Sequence, residues 1–92
     1  MSVVIVGGNE CMTRRYKEIC GMFNCKAKVY HKMSGSFKNF GTPDLMVVFT
    51  DTVSHKMIRY IMSETKNTNT VVARCHNCSA CALKTILENY TS

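Results

Sequence analysis

Three histidines and a run of three cysteines are the side chains here best able to hold a metal or polarise a ligand. His31 follows the strand-like KAKVY, His55 lies a few residues beyond LMVVFT, and His76 closes TVVARC. If those strands run parallel, the imidazoles gather at one sheet edge, the edge where open α/β sheets bind ligands. With Thr52 as the predicted cap of a helix, His55 falls in its first turn. The positive dipole end there disfavours the imidazolium and leaves a neutral ring able to coordinate a metal. His76, just ahead of Asn77, is placed alike. A single loop histidine usually does no more than hydrogen-bond to backbone; three on one predicted edge point to a ligand.

Cys75-His76-Asn77-Cys78-Ser79-Ala80-Cys81 concentrates soft ligands. C-x-x-C-x-x-C with an embedded histidine suits zinc or part of an iron–sulfur cluster, with His76 or His55 as a fourth zinc ligand. Against this, Cys78 and Cys81 lie on one flank of a first helical turn while Cys75 still belongs to a strand. The same spacing also arises from small residues packing at a helix start. Cys78, nearest the predicted helix N-terminus, is the thiol whose anion the dipole most favours and the candidate for redox sensitivity. Paired carboxylates are missing, and nothing in the sequence orients a base beside a nucleophile, so no catalysis is expected.

Four loops crown the predicted edge, three of them opening a helix whose free N–H groups attract anions. Gly8 and Asn9 of Gly7-Gly8-Asn9-Glu10 form one such turn, and Arg14, Arg15, Lys32, Lys56 and Arg74 add positive charge. Familiar nucleotide fingerprints are absent: the first turn is not G-x-G-x-x-G, and His31-Lys32 stands where a ribose-binding acid would be.

The elements that must carry these residues alternate. Val3 to Val6 is continuously apolar and ends in Gly7-Gly8, as in a buried parallel strand. Met12, Tyr16, Ile19, Cys20 and Phe23 then recur at helical spacing, with Asn9 as predicted N-cap and Gly21 or Asn24 at the end. Cys20 is read as core, Cys11 and Cys25 as packing groups. Lys26 to Tyr30 alternates charged and apolar residues, which suits a sheet edge. Residues 32–44 read as a loop with one helical turn. Leu45 to Phe49 is a second buried strand, followed by a helix marked by Val53, Met57, Ile58, Ile61 and Met62. Thr70 to Ala73 is the fourth strand, and Leu83, Ile86, Leu87 and Tyr90 mark a last helix capped by Asn77. The expectation is an α/β fold of Rossmann-like type: one domain over 1–92, a four-stranded parallel sheet in order 2-1-3-4, and helices on both faces.

No apolar run approaches the ~20 residues of a membrane span. MSVVIVGG has no basic lead-in, so no signal peptide is expected, and a cytoplasmic location is expected with it. Six cysteines are then packing groups, metal ligands or reactive thiols rather than disulfides. Twelve Lys and Arg against six acids give +6, but the charges are scattered with no aromatic stripe, which disfavours nucleic acid. A core this small points to a homodimer, and a domain-swapped one is compatible with it.

VVIVGG, CKAKVY, PDLMVVFTDTVSHKM and RCHNCSACALK together resemble a family of small bacterial and archaeal proteins catalogued as domain of unknown function 2325. Thr52-Val53-Ser54-His55-Lys56-Met57 and Arg74-x-His76-x-x-Ser79-Ala80 are its most specific pieces. The resemblance spans essentially the whole chain, implies a Rossmann-like domain with no agreed activity, and carries over His55, Arg74, His76 and Ser79. Cys75, Cys78 and Cys81 depart from the family pattern, where small hydroxyl residues are expected, which favours the histidines over the cysteines. The leading expectation is a non-catalytic sensor or carrier that binds haem or a transition metal at the C-terminal sheet edge. Histidine would be the ligand, Arg and Lys would meet propionates, and Met, Tyr and Phe would pack the ring. The alternatives are a regulatory module for a phosphate-bearing ligand, built on helix N-termini and Arg74, and a protein-interaction or dimerisation module.

Overall fold

A computed structural model describes residues 1–31, 41–77 and 79–91. Four parallel strands form one sheet: β1 Ser2–Val6, β2 Lys26–Tyr30, β3 Leu45–Phe49 and β4 Val71–Cys75, in order β2-β1-β3-β4. That is the α/β architecture and strand order the hydrophobic pattern implies. A 3-10 turn, Glu10–Met12, runs into α1 Thr13–Met22; α2 His55–Thr65 and α3 Ala80–Thr91 complete the three α-helices among the described residues. The helical turn expected within 32–44 falls mainly on 32–40, outside the described residues.

The centre of the sheet is apolar on both faces because both faces are covered. Val3, Ile5, Leu45, Val47, Phe49 and Ala73 meet α1 and α3 through Tyr16, Ile19, Cys20, Leu83 and Leu87. Val4, Val6, Met46 and Val48 meet Met57 and Ile61 of α2 on the other side. The outer strand β2 keeps its lysines exposed, as an edge does. Tyr16 anchors the first face against Phe49, ring centroids 5.5 Å apart and planes inclined by 33°.

Local chemistry sets the boundaries. The Asn9 side chain accepts the Cys11 N–H and caps the 3-10 turn. Asn24, at φ 58°, takes the left-handed conformation that ends α1. The Cys25 N–H then reaches Cys20 O at 2.9 Å and the Asn24 N–H reaches Gly21 O at 3.0 Å, a Schellman closure. Two caps differ from the sequence expectation. Helix α2 begins at His55, and Ser54 rather than Thr52 caps it, its hydroxyl accepting the Met57 N–H at 3.3 Å. Thr52 is engaged elsewhere: it accepts the Gly8 N–H at 2.6 Å and donates to Phe49 O at 3.1 Å. Helix α3 begins at Ala80, with the Ser79 hydroxyl accepting the Ala82 N–H, while Asn77 accepts the Ser79 N–H one turn earlier.

Gly7 couples the loop after β1 to the loop after β3. At φ +85°, a Cβ here would lie 2.5 Å from Thr52 Oγ1 and 2.6 Å from Val53 Cγ1. Only glycine allows that approach.

Candidate functional site

The register that aligns Val48 with Arg74 and Phe49 with Cys75 continues past the strand ends. Thr50 donates its N–H to Cys75 O at 2.8 Å, so the loop after β3 runs alongside the loop after β4. A cavity of about 410 Å³ opens there, lined by Thr50, His55, Ile58, Arg74, Cys75 and His76. His55 comes from the first position of α2, Ile58 from one turn further along that helix, and Arg74 to His76 from the end of β4.

His76 is the best-supported ring. Its Nδ1 lies 3.0 Å from Asp51 Oδ1 and 3.1 Å from Thr50 Oγ1. Arg74 makes no ion pair among the described residues, which leaves its guanidinium for an incoming anion. Helix α2 directs the N–H groups of its first turn to the same end of the sheet, which favours negative charge on a ligand.

His55 and His76 therefore share a cavity, and His31 is not among its lining residues. His31 ends the outer strand β2, where its Nε2 lies 2.7 Å from Thr13 Oγ1 of α1. Its Nδ1 is buried with no hydrogen-bond partner among the described residues. Gly8 and Asn9 give their N–H groups to Thr52 Oγ1 and the Tyr16 hydroxyl, so this turn spends its donors inside the protein. Arg14 and Arg15 are exposed on α1, Arg14 lying 4.0 Å from Glu18, and neither lines the cavity. Ser79 serves as the α3 cap.

The cysteines divide. Cys75 lines the cavity and its thiol lies 3.3 Å from Asn77 O; Cys81 is exposed on α3. Cys78 lies outside the described residues, and with it the metal and redox expectations placed on it. Among the described residues, no three of His, Cys, Asp and Glu gather closely enough to hold a metal ion.

A family model for uncharacterized proteins conserved in bacteria, domain of unknown function 2325, matches residues 2–90. The chain belongs to this family. No curated protein and no solved structure matches it. Of the positions carried over to this family member by resemblance, His55, Arg74 and His76 line one cavity, while Ser79 caps the adjoining helix. No helix among the described residues is long and apolar enough to cross a membrane.

Asp51 and Thr50 are what sequence reading missed. In the sequence, Asp51 follows the apolar run Leu45 to Phe49 with no second acid beside it, and nothing there ties it to His76. Counting strand register beyond Phe49 and Cys75 sets positions 50 and 51 beside positions 76 and 77.

Proposed function

We propose that this protein is a non-catalytic sensor or carrier domain that binds a small metal-containing cofactor at the C-terminal ends of β3 and β4. The observation that carries this reading is the convergence of His55, Arg74 and His76 on one cavity. Its volume, about 410 Å³, is within the range of small-molecule sites. A bare ion held by protein alone would call for at least a third donor, and the described residues supply no such trio. An iron porphyrin brings four nitrogens of its own and asks the protein for one or two axial ligands. His76 and His55 meet that demand, Arg74 would face a propionate, and Ile58 would touch the ring.

Titration of the purified chain with haemin tests this. The wild type should give a shifted, saturable Soret band, and His76→Ala should weaken binding by about tenfold or more. A spectrum unchanged by both His76→Ala and His55→Ala would overturn the porphyrin reading.

The second reading, a phosphate-bearing ligand, is favoured by Arg74 together with the first turn of α2. It calls for thermal stabilisation by inorganic phosphate that survives chelators and disappears in Arg74→Ala.

A further inference from the structure

We infer that Asp51 and Thr50 are positioning residues that lock His76 in one tautomer, so that Nε2 is the atom offered to the cofactor. This rests on the cofactor-binding reading above and adds to it the identity of the ligating atom and the groups that choose it.

The two neighbours of His76 Nδ1 are Asp51 Oδ1 at 3.0 Å and Thr50 Oγ1 at 3.1 Å. A carboxylate only accepts. The Thr50 hydroxyl has a single proton, and Cys75 O stands 3.4 Å away to take it. Both neighbours of Nδ1 thus act as acceptors, and a ring nitrogen between two acceptors must carry the hydrogen. In the neutral ring the lone pair then sits on Nε2, which has no partner among the described residues. Both side chains of the pair are largely exposed, so it adds little to stability. Its effect is to select between two tautomers close in energy, as a carboxylate does behind a metal-bound histidine.

His31 shows the opposite arrangement. The Thr13 hydroxyl lies 2.9 Å from Glu10 O and donates to it, so Thr13 Oγ1 accepts from His31 Nε2 at 2.7 Å. The lone pair of the neutral His31 ring falls on Nδ1, and that atom is buried. One hydroxyl thus closes the coordinating nitrogen of His31 into packing, while the Thr50–Asp51 pair leaves that of His76 open.

Nitrogen-15 NMR of the full chain, at a pH where the histidine shifts have stopped changing, reads the tautomer directly. The wild type should show His76 protonated at Nδ1, and the Thr50→Val/Asp51→Ala double variant should move it toward Nε2–H. In parallel, Asp51→Ala should weaken haemin binding by about 10- to 100-fold. Amide spectra of the same samples establish that each variant is folded. A wild-type ring protonated at Nε2, or a tautomer ratio unmoved in the double variant, overturns the inference. So does wild-type haemin affinity in Asp51→Ala. The expected tautomer with no haemin binding in any variant would instead sink the cofactor reading and leave the positioning role standing.

Discussion

Burial pushes the Cys20 thiol up from 9.0 to about 11, and neighbouring Cys25 adds to the rise. Cys20 is fully buried, so its thiolate has no water to solvate it. A raised acid keeps its proton in the folded chain at pH values where the unfolded chain has lost it. Its contribution to stability is therefore complete below about pH 9 and is lost as pH climbs toward 11. The full loss is on the order of 3 kcal/mol. Urea midpoints measured between pH 8 and 11 should fall more steeply in the wild type than in Cys20→Ala. Equal slopes would mean that Cys20 does not titrate with unfolding. The thiol's burial was legible from its place among Met12, Tyr16 and Phe23. The role of Asp51 was not, because it depends on alignment of two loops 25 residues apart.

At the scale of elements, β1 and β3 were legible because an unbroken apolar run bounded by turn residues has few other homes than a sheet covered on both faces. The lysines of β2 told that it lies outside. Helix caps were harder. Thr52 and Ser54 are both hydroxyls two residues apart, and what separates them is a tertiary contact, the Gly8 N–H that Thr52 accepts. His31 stands apart from His55 and His76 for a similar reason: β2 is the outer strand, and the Thr13 hydroxyl of α1 engages the ring there. Ser79 can be assigned by experiment. As the α3 cap it should cost about 1 kcal/mol on change to Ala, seen as a lower urea midpoint, with haemin affinity unaltered. An affinity loss at unchanged stability would make it a ligand contact instead.

Across the whole molecule the sheet separates two packing units that serve different ends. On one face α1 and α3 build the larger core with β1 and β3; on the other, α2 seals Val4, Val6, Met46 and Val48 and brings His55 and Ile58 to the cavity. Leu87 is fully buried in the first unit, and none of the cavity's lining residues comes from α1 or α3. Leu87→Ala should therefore cost roughly 2–5 kcal/mol. That is a large part of the roughly 5–14 kcal/mol typical for a domain of this length. Yet at temperatures where the variant stays folded, its haemin affinity should match the wild type. Ile58→Ala should show the reverse balance, a smaller stability loss with weaker haemin binding, because Ile58 is only partly buried and touches the cavity. Calorimetric melting and Soret titration of the two variants together check the division. If Leu87→Ala lost haemin affinity while fully folded, the two faces would be coupled through the sheet, and the site would extend beyond the ends of β3 and β4.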